Sequence, residues 1–173
     1  MNFYEISEQS NDKELLIVLE SLIKNWESEV VEFKEATNDF DKNKIGQYFS
    51  AISNEANLKQ KQYGWLVFGV RNKGKQIVGS DYRDTHGLDI LKQEISEETT
   101  GNISYIDIFE IYPETNNERK RVIMFQIPAA ITATPTAWKG HYYGRNGESL
   151  GPLSVEELER IRGKRRRIGL SKY

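Results

Sequence analysis

The chain has 173 residues, enough for one ordinary domain, with 38% apolar residues, 29% charged residues and a net charge of −2. Three Trp, nine Tyr and seven Phe supply the bulk of a packed core, which argues against whole-chain disorder. The absence of Cys excludes a disulfide scaffold, thiolate metal sites and cysteine catalysis, and with only His86 and His141 a multi-histidine metal site is excluded too.

No apolar run approaches the roughly 18 residues of a membrane span. The N-terminus is polar and acidic and lacks a signal-peptide pattern, so the expected location is the cytoplasm. Charge is unevenly spread. Seven of the 24 basic residues fall in the last 14 positions, 160–173, with no acid among them. That leaves 17 basic against 26 acidic residues in 1–159, a balance of −9. A basic tail on an acidic body reads either as a nucleic-acid-binding arm or as a solvated extension or linker.

Leu15, Val18, Leu19, Leu22 and Trp26 recur at helical spacing after Asn11 or Asp12 as a cap, which predicts a first helix. Residues 29–34 alternate, with Val31 and Phe33 on one side and Val30, Glu32 and Lys34 on the other, as in a short strand. After a polar turn at 38–43, Ile45, Tyr48, Phe49, Ile52 and Ala56 form the stripe of a second helix.

Residues 65–70 are continuously apolar, as a buried central strand would be, and 76–78 is expected to pair with them as a hairpin. Leu88, Leu91 and Ile95 mark a third helix. Two strands follow at 103–111 and 121–127, joined by a polar turn at 113–118. A last hairpin, 141–145 with 148–150, turns at Asn146-Gly147. Ser154 and Glu157 then fit a capping box that opens a final helix through Leu158 and Ile161. Segregated hairpins and helices predict an α+β domain with a mixed sheet. Leu66, Phe68 and Val70 are expected to share one core with Val31, Phe33, Ile52, Ile123 and Phe125.

Two constellations carry chemistry. Glu27 and Glu32 flank the first strand, and Lys34 lies on the same strand face as Glu32. Converging carboxylates hold Mg²⁺ or Mn²⁺, and such a metal polarises a phosphodiester and activates water, as in metal-dependent nucleases. The same Glu-x-Lys spacing also arises from plain alternation on any half-exposed strand.

The second constellation is 135–145, which interleaves Trp138, Lys139, His141, Tyr142, Tyr143 and Arg145. Aromatic rings stack on bases and cations hold phosphates. The bland alternative is a hairpin whose Tyr rings pack on the sheet, and half of them must, because Tyr142 and Tyr143 face opposite ways. His86 reads as a surface residue before the third helix and His141 as a half-buried strand residue. No Walker-type loop and no Gly-x-Gly-x-x-Gly is present.

Several segments together resemble the Schlafen AlbA_2 family, in its bacterial members. They are Glu-Ser-Glu-Val-Val-Glu-Phe-Lys at 27–34, Ser-Ala-Ile-Ser-Asn-Glu-Ala-Asn at 50–57 and Gly-Trp-Leu-Val-Phe-Gly-Val at 64–70. The series continues with Gln-Ile-Val-Gly-Ser at 76–80, Ile-Pro-Ala-Ala at 127–130 and Gly-His-Tyr-Tyr-Gly-Arg-Asn-Gly-Glu-Ser at 140–149. Their order and spacing, over about residues 12–162, carry the resemblance.

It implies an Alba-like α+β fold, with helices packed on one face of a mixed sheet and a C-terminal hairpin plus helix. The domain is expected at 1–163, with 164–173 as a basic tail or linker. Bacterial members are described as predicted transcriptional regulators or as ATP-binding or RNA-binding proteins, often with a C-terminal winged helix. Vertebrate relatives include endoribonucleases with two Glu in the first motif, matched by Glu27 and Glu32, and an Asp after the Gly-Val strand. That third position falls here on Arg71 or Asn72, neither acidic, though Asp81 and Asp84 lie nearby.

The resulting expectation is a regulatory domain that binds DNA or RNA through a local basic and aromatic surface. Its residues are Trp138, Lys139, Tyr143, Arg145, Arg165, Arg166 and Arg167. One alternative is a metal-dependent endoribonuclease using Glu27, Glu32 and Lys34, with Mg²⁺ or Mn²⁺ on Glu27, Glu32 and Asn72. With only two carboxylates it is expected to be weak or inactive. Another is an ATP- or nucleotide-binding regulatory module. Nucleic acid is the expected partner and a membrane is not; a homodimer and a separate C-terminal domain are further partners compatible with the sequence.

Overall fold

A computed structural model describes residues 3–27, 29–84 and 87–169, with side chains described from 11 to 163. In chain order the elements are α1 (Phe3–Lys24), β1 (Val31–Lys34), α2 (Lys42–Leu58), β2 (Tyr63–Phe68) and α3 (Leu88–Ser96). After a 3-10 turn at Thr100–Asn102 come β3 (Asp107–Ile111), β4 (Glu114–Thr115), β5 (Glu118–Arg119) and β6 (Val122–Pro128). The chain continues with β7 (Ala137–Trp138), β8 (His141–Asn146), β9 (Ser149–Pro152) and α4 (Val155–Gly169).

The main sheet runs β1-β2-β6-β3. β1 lies parallel to β2, with Val31 opposite Trp65, and the other pairings are antiparallel. β2 is interior to the sheet, which is why both of its faces are apolar. The architecture is therefore α+β with a mixed sheet.

Strand alternation sends every second residue to the opposite face, and the sheet uses both. Trp65, Val67, Val122, Met124, Val31 and Phe33 pack with Leu15, Leu19 and Leu22 of α1. Leu66, Phe68, Ile123, Phe125 and Ile127 pack with Ile45, Phe49 and Ile52 of α2 and with Leu91 and Ile95 of α3. Two corrections follow. Helices cover both faces, not one, and the single expected core is two cores, with Val31, Phe33 and Val70 on the α1 side.

Other differences are local. α1 starts before the expected cap and ends at Lys24, so Trp26 lies beyond it in a turn. Residues 76–78 form no strand. Gly69 at φ +97 ends β2, and the return segment makes only an isolated bridge, Val70 with Ile77. The 113–118 turn is itself a small hairpin, β4 with β5, turning on Asn116 and Asn117 at φ +53 and +62. His141 is exposed and His86 lies outside the described residues. α4 runs unbroken past residue 163 to Gly169.

The capping box forms as expected: Glu157 N–H donates to Ser154 Oγ at 3.1 Å, and Ser154 N–H donates to Glu157 Oε1 at 3.2 Å. Ser154→Ala should cost about 1 kcal/mol of stability, read as a lowered thermal midpoint. No helix among the described residues is long and apolar enough to cross a membrane.

A polar stripe on α2 fixes the second, smaller sheet. Ser50 Oγ donates to the Thr136 carbonyl at 2.7 Å, and Ser53 Oγ meets Thr136 Oγ1 at 2.7 Å. Asn54 Nδ2 donates to the carbonyls of Thr136 and Tyr143, both at 2.9 Å, while its Oδ1 accepts from Thr136 N–H at 2.8 Å. Asn57 Nδ2 reaches the Ala130 carbonyl at 2.7 Å. These buried amides and hydroxyls take the place of ladder partners for an otherwise irregular segment. They thereby set where β7, β8 and β9 lie (order β7-β8-β9) over α2.

Candidate functional site

β1 turns Val31 and Phe33 toward α1, so Glu32 and Lys34 face the α2 side. Glu32 is 3% exposed. Its Oε1 is 2.9 Å from Lys34 Nζ and its Oε2 is 3.0 Å from Arg145 Nη2. Arg145 reaches it from β8, placed there by the bonds of Ser50 and Asn54 to Tyr143. Arg145 Nη1 also donates to the Val31 carbonyl at 3.0 Å and to Glu55 Oε2 at 3.2 Å. Glu55 Oε1 in turn meets Lys59 Nζ at 2.9 Å.

The result is an alternating chain, Lys34–Glu32–Arg145–Glu55–Lys59, that ties β1, β8 and α2 together. The Lys34 ammonium lies 5.1 Å from the Tyr48 ring centroid. Burial by itself lowers the pKa of this lysine, but its hydrogen bonds to Glu32 and Tyr48 and their attraction outweigh it, so the net shift is upward.

Of the residues expected to bind metal, only Glu32 lies in this cluster. Glu27 is exposed in the turn after α1. Asn72 sits in the turn after β2, where its Oδ1 accepts from Lys75 Nζ at 3.1 Å. Arg71 pairs with Glu35 at 2.6 Å, and Asp81 and Asp84 are exposed. Among the described residues no three His, Asp or Glu side chains converge to hold a metal. The carboxylate that shares Arg145 with Glu32 is Glu55, which the sequence reading missed. Its available signal was the Glu55–Lys59 i,i+4 pair at the end of α2.

The aromatic and basic hairpin divides into inner and outer parts. Trp138 is a core residue: its indole packs on Gly46 and its Nε1–H donates to Asn43 Oδ1 at 2.7 Å. Burial removes its ring from base stacking. Tyr143 is half-buried against the α2-side core. The Arg145 side chain is 12% exposed and committed to two carboxylates.

Lys139, by contrast, is exposed at the β7–β8 turn, with its Nζ 5.4 Å from the Trp138 centroid. Tyr142 is half-exposed, and the Arg162 guanidinium of α4 lies 5.7 Å from its ring centroid. Arg160 and Arg162 are exposed. β8 and the start of the basic tail thus meet at Tyr142 and Arg162. The side chains of Arg165, Arg166 and Arg167 lie outside the described residues, although their backbone continues α4.

These features define a mixed-sheet α+β domain with a hairpin–helix appendage clasped to α2. The chain belongs to the Schlafen, AlbA_2 family, a nucleic-acid-binding type of domain, whose model matches residues 27–154. A solved structure, that of the DIP2311 protein from Corynebacterium diphtheriae, is similar with a TM-score of 0.57 and 18% identity. The match covers 88% of this chain and 29% of that one, so this chain spans less than a third of that protein, and the likeness is one of fold. No curated protein matches the chain.

Proposed function

We propose that the domain binds nucleic acid in a regulatory, non-catalytic role, through the face made by the β7–β8 turn and α4. The observation that carries this reading is the Arg162–Tyr142 contact, which joins the hairpin to a helix rich in arginine. Lys139, Arg160 and Arg162 are exposed on these elements and available to phosphates. The body is acidic overall, so binding rests on this local patch and not on a general positive field.

The test is binding of labelled single- and double-stranded RNA and DNA at two salt concentrations. Lys139→Ala with Arg162→Ala should weaken binding and flatten its salt dependence by roughly one unit of slope per lost phosphate contact. Unchanged affinity and slope would remove this face from consideration.

The nuclease alternative is less well supported, because both oxygens of Glu32 already hold cations of the chain itself. Running the same mixtures with Mn²⁺ tests it. Metal-dependent RNA cleavage abolished by Glu32→Gln, in a variant that remains folded, would put the enzyme first.

A further inference from the structure

Trp26 differs from the other two tryptophans of the chain. It is 37% exposed, whereas Trp65 and Trp138 are 6% and 1% exposed. Its ring is nonetheless held in place. Lys75 Nζ lies 4.3 Å from the ring centroid, and this ammonium is itself tied to the carbonyl and Oδ1 of Asn72. Lys75 also lies 5.4 Å from the Phe33 centroid, which anchors the arrangement to β1. The indole is therefore engaged by a fixed cation while part of the side chain stays open, an orientation set before any ligand arrives.

The surroundings are basic. Lys24 lines the open hollow beside Trp26 together with Asn25 and Glu27. Lys73 is exposed on the same turn as Asn72 and Lys75. Arg71, also on that turn, is neutralised by Glu35. Lys24, Lys73 and Lys75 against Glu27 leave a local excess of two positive charges on a body that is otherwise acidic. The site lies on the α1 side of the sheet, with Phe33, while the hairpin–α4 face lies on the α2 side.

We propose that Trp26, flanked by Lys24, Lys73 and Lys75, is a second contact surface that takes single-stranded nucleic acid. One unpaired base stacks on the open part of the indole and its neighbouring phosphates meet the lysines. A duplex is disfavoured because its bases already cover each other's faces, whereas an unpaired base has a face to offer. This inference rests on the nucleic-acid reading but on a different surface.

Because the other two tryptophans are buried, quenching of indole emission by a stacked base reports on Trp26. Titrating the full chain with oligo(U) should quench the emission, and an RNA duplex of equal length should quench it much less. Trp26→Leu should abolish the quenching and weaken oligo(U) binding, followed by fluorescence anisotropy, about 5- to 150-fold, the equivalent of ~1–3 kcal/mol for one stacked base. Trp26→Phe should restore part of the affinity.

Oligo(U) binding with unquenched emission and unchanged affinity in Trp26→Leu would overturn this surface and leave the nucleic-acid reading standing. Equal quenching by the duplex would overturn the single-strand preference. Absence of binding to any RNA or DNA would overturn both readings.

Discussion

Arg145→Ala is expected to destabilise the domain by about 3–5 kcal/mol, because it leaves a buried carboxylate without its partner. Glu32 is 3% exposed and loses the guanidinium on Oε2, keeping only Lys34 on Oε1. The Val31 carbonyl loses its donor in the same step. Glu55 suffers less, being nearer solvent and still paired with Lys59. Urea denaturation should show a lower midpoint at unchanged slope. Glu32→Gln in the Arg145→Ala background should recover part of the loss, because a neutral amide is easier to bury than an unpaired charge. A loss below about 1 kcal/mol would mean that the guanidinium is no keystone, since that is the range of an exposed pair. The variant also bears on function. Reduced nucleic-acid binding by Arg145→Ala would reflect a displaced β8, so exposed Lys139 and Arg162 are the cleaner probes of the proposed face.

The central strand, the last hairpin and the capping box were readable because each has a local cause. β2 is apolar on both faces, Gly147 at φ +62 carries a tight turn whose central residues are Gly147 and Glu148, one residue on from the expected Asn146-Gly147, and Ser154 and Glu157 satisfy each other three residues apart. What the sequence concealed depends on contacts across many residues. Alternation along β1 and β2 separates two sets of side chains, but it does not say whether a helix covers each. Only the position of α1 shows that Val31 and Phe33 belong to a core of their own.

Ser50, Ser53, Asn54 and Asn57 look like the outer face of a surface helix. Their partners, Thr136, Tyr143 and Ala130, lie 73 to 93 residues away. The site was obscured for the same reason. Alternation places Glu32 and Lys34 as neighbours on one strand, but their link through Arg145 to Glu55 exists only once α2 has drawn β8 across β1. Composition groups Trp138 and Arg145 as a gripping surface. The pleat and the clasp turn both inward.

Gly46 shows how such a contact reverses a local rule. Alanine in place of a mid-helix glycine ordinarily gains about 1 kcal/mol of helix propensity. In α2 a Cβ on residue 46 would stand 2.1, 2.2 and 2.5 Å from Cε2, Cδ2 and Cζ2 of Trp138. The indole has little room to yield. Its Nε1–H is bonded to Asn43, its backbone pairs with His141 and bridges to Thr99, and the next residue donates to the Glu98 carbonyl. Overpacking of this kind costs about 1–3 kcal/mol or more, and displacing the ring would also strand its buried N–H, a further ~1–3 kcal/mol. The steric term exceeds the propensity gain, so Gly46→Ala should lower the thermal midpoint. In a Trp138→Leu background, where the smaller side chain leaves space, the same substitution should become neutral or stabilising. That change of sign is the signature of direct packing between the two residues. A Gly46→Ala variant more stable than the parent would show that the indole does not rest on α2. The position of the β7–β8 turn, and of Lys139 upon it, would then need another cause.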